Sequence, residues 1–193
     1  MALTDKLGQA FYFGEAEVRC DKQLARRIYQ YTFETLYNSG AISGRLKMLD
    51  LGSGPRGSDF VNMLAEFSPQ IEVTYLDERP TCVKNLQNLG KKAVTAPGEK
   101  MPFMNDSFDI IFGGWAILAN DAHIQRDSKI IAEVRRVLCQ QGIFVFEYVS
   151  GNDEEMKKHF ASLGFNRFTH MLRLDRRDRE YFDIYSASLA INR

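Results

Sequence analysis

Gly52-Ser53-Gly54-Pro55-Arg56-Gly57 sets three glycines at the spacing G-x-G-x-x-G. Glycine reaches backbone conformations closed to other residues, so N–H groups in such a turn can approach a nucleotide closely. Carboxylates stand on either side of the loop. Asp50 precedes the first glycine by two residues, and Asp77 lies where the following strand should end. A carboxylate at a strand end accepts two hydrogen bonds from a ribose, or else caps a helix or is a solvated loop acid. Charge separates the possible ligands. A pyrophosphate favours bare backbone amides at a helix N-terminus, and a carboxylate at position 50 pointing into the site opposes it. A ligand carrying an ammonium and a sulfonium has the opposite sign and suits Asp50, directly or through water.

Further along, His123, Asp121, Glu147 and Tyr148 are candidate general bases, close in sequence to the ends of two later strands. Surface or capping roles account for His123 as well, and Glu147 among Phe144, Phe146 and Tyr148 needs a partner wherever it points. Trp115 is suited to closing over a ligand or to filling the core. His159 and His170 have no metal-like spacing with cysteines, so no metal site is expected. Cys20, Cys82 and Cys139 are scattered and odd in number, which fits neither a disulfide framework nor zinc. Charges balance at 25 basic against 25 acidic residues. That balance argues against nucleic acid as partner. The first twenty residues carry charges throughout, which reads as neither a leader nor a membrane span, so a cytoplasmic protein is the expectation.

The elements that must position these groups follow from apolar periodicity. Residues 1–40 read as a helical N-terminal cover, with Leu24, Ile28, Tyr31 and Leu36 at helical spacing and Phe11-Tyr12-Phe13 as a lid or as packing. From 47 to 193 strands alternate with helices in one domain. Strands are predicted over Lys47–Leu51, Ile71–Leu76, Ala93–Thr95, Phe108–Gly113 and Ile143–Val149, with helices over Ser58–Phe67, Thr81–Leu89 and Asp127–Leu138. A further helix runs from its cap Asn152 to Gly164. This alternation implies an α/β fold with a doubly wound, mostly parallel sheet. Phe165–Leu174 and Tyr181–Ile191 are separated only by DRRDRE, too short for a parallel crossover, so they are expected to pair antiparallel and give the sheet an antiparallel last strand.

LDLGSGPRG, TYLDERP, GEKMPFMNDSFDIIF and IIAEVRRVLCQQGIFVF, taken in order, resemble the successive motifs of the class I S-adenosylmethionine-dependent methyltransferases, in particular the small-molecule branch that includes the ubiquinone and menaquinone biosynthesis enzymes. The resemblance spans residues 47 to 149 and implies a Rossmann-like, seven-stranded sheet. It implies that Asp50, Gly52, Ser53 and Gly54 line the methionine end of S-adenosylmethionine, that Asp77 binds the ribose with Glu78 beside it, and that Glu99, Lys100 and Met101 lie near the adenine. Gly113 and Trp115 would face the sulfonium and the acceptor. Where relatives carry an acidic adenine contact this chain has Pro97, which shifts that role to backbone or to Glu99. The histidine that relatives often place after the fourth strand is replaced by Ile117-Leu118-Ala119-Asn120, so acceptor chemistry is not carried over. The activity implied is in-line methyl transfer to an acceptor, which rests largely on positioning. A chain of this length and charge balance favours a small-molecule acceptor. The alternatives are a protein or nucleic-acid acceptor, an inactive cofactor-binding or interaction protein of the same fold, and an NAD-dependent oxidoreductase.

Overall fold

A strand that is apolar along both faces has to be covered on both, and the short apolar runs of this chain are covered by helices with one apolar side. The computed structural model describes residues 44–67, 70–113, 124–149, 153–175 and 181–189. The expected N-terminal cover lies outside the described residues. Along the described chain come β1 (Leu46–Leu51), α1 (Asp59–Phe67), β2 (Ile71–Asp77), α2 (Pro80–Asn88) and β3 (Ala93–Thr95). They are followed by β4 (Phe108–Gly113), α3 (Ile124–Val137), β5 (Leu138–Val149), α4 (Asp153–Ser162), β6 (Phe165–Asp175) and β7 (Tyr181–Leu189). The seven strands form one sheet in the order β3-β2-β1-β4-β5-β7-β6. β1 to β5 are mutually parallel, whereas β7 runs antiparallel to both β5 and β6.

The strand order reverses between β1 and β4. The chain builds outward through β2 and β3, then returns to the other side of β1, leaving a crevice at the carboxyl ends where ligands of such sheets bind. Register fixes what lies on each face. Leu49, Ile111 and Phe144 align across β1, β4 and β5, and these fully buried residues pack with Ile131, Val134 and Val137 of α3. Phe146 stacks on Phe160 of α4 with ring centroids 4.7 Å apart, and Phe165 meets the same ring edge-on at 5.8 Å. On alternate positions Asp50 pairs in register with Tyr75, whose hydroxyl donates to Asn62 of α1.

Most element boundaries fall within a residue or two of the sequence expectation, and the larger differences lie around α3. The helix begins at Ile124, so Asp127, where it was expected to start, is a buried member of its first turn. It stops at Val137, and Leu138 opens β5 by pairing with Phe108. The register then shifts, since Ile143 pairs with Ile110. Gln140-Gln141-Gly142, between the expected helix and the expected strand, belongs to β5 at this irregularity in its register. A Cβ on Gly142 would stand 2.7 Å from Leu138 Cδ1 and 2.9 Å from the Asp109 carbonyl oxygen, which explains the glycine there.

Candidate functional site

The glycine loop leaves β1 at the switch point and is tied to the end of β2. Gly52 and Ser53 both donate their backbone N–H to the Leu76 carbonyl, at 2.8 and 3.1 Å, and the Ser53 hydroxyl donates to the same oxygen. Gly52 and Gly54 have φ of 70° and 67°, the left-handed region that favours glycine. A Cβ built on Gly54 meets nothing within 4 Å, so the loop is open on that side. Gly57, at φ 82°, is constrained differently. A Cβ there would lie 2.5 Å from the Tyr75 ring, so the third glycine lets α1 and β2 pack. Asn62 donates to the Arg56 and Gly57 carbonyls, and Lys91 donates to Arg56 and Asn62 while sitting 4.6 Å from the Tyr75 ring centroid.

Asp50 is wholly buried beneath this loop. Its two oxygens accept from the Ser58 amide at 2.7 Å and the Ser58 hydroxyl at 2.6 Å. Burial raises its pKa to about 6, the Ser58 bonds and Lys91 opposing the rise and Asp77 adding to it. The carboxylate therefore braces the loop from below, and its influence on a ligand passes through the backbone it holds. The same burial, with Asp50 adjacent, pushes the Tyr75 hydroxyl up to about 12.

Asp77 closes the other side of the crevice. Its Oδ2 accepts from Gly54 N–H at 2.8 Å, and its Oδ1 accepts from the Arg79 amide at 3.0 Å and Nε at 2.9 Å. Arg79 Nη2 donates to Oδ2 at 3.1 Å. Burial opposes ionisation, but the Arg79 and Gly54 bonds outweigh it and hold the carboxyl below its ordinary range. Glu78 follows as an exposed residue.

The segment after β3 returns to the same crevice, with the Ala96 amide donating to the Asp77 carbonyl and the Lys100 amide to Pro97. Glu99 is half-buried, Lys100 exposed and Met101 buried. Two residues of α3 fix this segment. Glu133 accepts from the Met101 amide at 2.8 Å, while Arg136 donates to the Met101 and Phe103 carbonyls at 3.0 and 2.7 Å and pairs with Glu133. Gly113, at the end of β4, lies in register between Leu51 and Phe146. Glu147 and Tyr148 continue β5 beyond that point, paired through backbone with Ile184 and Asp183. Trp115, Asp121 and His123 lie outside the described residues.

Asp50, Gly52, Ser53, Gly54, Asp77 and Gly113 thus lie at the carboxyl edge of β1, β2 and β4, while residues 99–101 follow β3 in a segment fastened to α3. Ser58, Arg79, Glu133 and Arg136 are missed by sequence reasoning. Arg79 was open to notice, being two residues from Asp77, whereas nothing local links Glu133 to Met101. No cluster of metal-binding side chains occurs among the described residues. The backbone cradle, open at Gly54, and a carboxylate one strand away fit an adenosyl ligand.

Residues 49–146 match the model of a family described as a methyltransferase domain. No curated protein matches the chain in sequence. Among solved structures it is similar to a SAM-dependent methyltransferase from Aquifex aeolicus, at 15% identity and a TM-score of 0.58 over 81% of this chain and 89% of that one. Another from Methanosarcina mazei shares 14% identity at a TM-score of 0.61, over 80% and 98% of the two chains. The [4+2]-cyclase SpnF is similar as well, at 12% identity and a TM-score of 0.61 over 98% and 93%. At these identities the likeness is one of fold.

Proposed function

The chain belongs to the methyltransferase domain family, and on that premise we propose that it transfers a methyl group from S-adenosylmethionine to a small-molecule acceptor. The observation that carries the reading is the pairing of an open glycine cradle at Gly52–Gly54 with the Asp77 carboxylate, joined by the 2.8 Å bond from Gly54 N–H. When bound, S-adenosylmethionine supplies an electrophilic methyl group on a sulfonium sulfur. The chain supplies position. Gly52, Ser53 and Gly54 hold the methionine end with Asp50 bracing them from beneath. Asp77 accepts the ribose hydroxyls, with Glu78 beside it, and Glu99, Lys100 and Met101 border the base. Pro97 offers only a carbonyl, so the adenine edge is read by backbone of the segment that Glu133 and Arg136 clamp. The resemblance makes Gly113 and Trp115 the residues to test for contact with the acceptor, and Glu147, Tyr148 and His123 those to test as proton acceptors. Zero formal net charge supports a small acceptor over a nucleic acid.

Calorimetric titration with S-adenosylmethionine and with adenosylhomocysteine tests the donor site, and absence of heat with both overturns it. Asp77→Ala should weaken either ligand by about tenfold or more, since two hydroxyl bonds at roughly 1 kcal/mol each are lost. Metabolite extracts incubated with and without the enzyme should then reveal an acceptor by a gain of one methylene in mass. The fold shared with a [4+2]-cyclase favours keeping a second reading, cofactor binding without methyl transfer. Binding with no labelled product from tritiated-methyl donor across a broad acceptor panel would select it.

A further inference from the structure

Asp77 has no acceptor position to spare. A carboxylate offers about four lone-pair sites. Here four N–H donors occupy them: the Gly54 amide, the Arg79 amide, and Nε and Nη2 of the Arg79 guanidinium. The two amides belong to the glycine loop and to the entry of α2, so they stay with the fold. The other two are carried by a side chain 60% exposed, on a rotatable stem, opposite a carboxylate only 3% exposed. Nor does that side chain serve the helix it begins. Arg79 stands at the N-cap position of α2 without a side-chain capping bond, and Pro80 fills the first helical position.

We infer that Arg79 is a displaceable latch on the cofactor site, setting the affinity and release rate of adenosyl ligands by competing with the ribose for Asp77. The inference rests on the reading that Asp77 holds the ribose. A vicinal diol presents two O–H donors, one for each carboxylate oxygen, and can engage Asp77 fully only where the guanidinium now donates. Binding is thus an exchange of two donors for two. The guanidinium end of the pair is exposed and can return to water when displaced, yet giving up two bonds to a buried carboxylate subtracts from the affinity. As the ribose bonds loosen, the guanidinium competes for the same oxygens and speeds release. Donor and demethylated product share the same ribose, so the latch weakens both by one factor and leaves their ratio unchanged.

Arg79→Met keeps the apolar stem and removes the donors. Titrated against S-adenosylmethionine and adenosylhomocysteine, it should bind both about three- to tenfold more tightly than wild type, by the same factor, with slower dissociation of adenosylhomocysteine in stopped flow. Raising sodium chloride to about 1 M screens the pair in the wild type and should narrow the gap. Arg79→Lys, which keeps the charge without the paired donors, should fall between the two. Equal or weaker binding by Arg79→Met, or a gain for one ligand alone, overturns the latch while the donor site stands. Failure of both ligands to bind either protein overturns the latch and the donor reading together.

Discussion

A buried carboxylate with both oxygens on one serine makes Asp50 a titrating brace. Its pKa is raised in the fold, so between about pH 4 and pH 6 the native chain holds a proton that the unfolded chain has lost, and stability falls as pH rises through that interval. A shift from 3.8 to about 6 corresponds to on the order of 3 kcal/mol. Asp50→Asn carries no such charge. Its stability relative to wild type should therefore improve by that order from pH 4 to pH 7 in urea titrations, and an unchanged difference would show that Asp50 ionises freely. Asp77 has the opposite sign, contributing stability that is lost only as pH falls through a pKa below the ordinary carboxylate range. Gly57→Ala should cost about 2 kcal/mol, because it forces a side chain into positive φ and against the Tyr75 ring. The identities of these residues were legible in sequence, but their directions were not. Strand register places Asp50 opposite Tyr75, and only the folded loop brings Ser58, eight positions later, onto it.

At the scale of elements, α3 does more than cover the sheet. Its Glu133 and Arg136 hold the backbone of Met101 and Phe103, so the rim of the crevice is as rigid as that helix. Arg136→Met should leave the Met101 and Phe103 carbonyls short of donors, costing about 1–3 kcal/mol of stability. Amide exchange should then accelerate in 101–105 before it does in β1 or β4, and the apparent KM for the donor should rise. Uniform acceleration across the sheet would mean that Arg136 supports the fold and not the rim. The strand-helix rhythm from β1 to α4 was readable because apolar runs and one-sided helices are local patterns. The early start of β5 at Leu138 was not readable, since the polar Gln140-Gln141-Gly142 interrupts the apolar run and the register shift there depends on the neighbouring β4 backbone that no local pattern contains.

For the whole molecule, the family match spans β1 to β5, and the crevice opens at their carboxyl ends where the strand order reverses between β1 and β4. Adenosylhomocysteine at a hundred times its dissociation constant should stabilise the native state by about 2.7 kcal/mol, seen as a raised unfolding temperature, and no rise would mean that the native state does not bind it. The cradle was visible in sequence as spacing and motif order; acceptor selection was not, because it depends on which side chains meet over the crevice. The position of β7 also has a consequence for the order of assembly. β6 is translated before β7 but joins the sheet only through it, so during synthesis the outer edge of β5 waits with its backbone donors and acceptors bare. A bare edge beside Phe144 and Phe146 is a template for pairing with other nascent chains. By pairing along that edge, β7 withdraws it from contact with other chains.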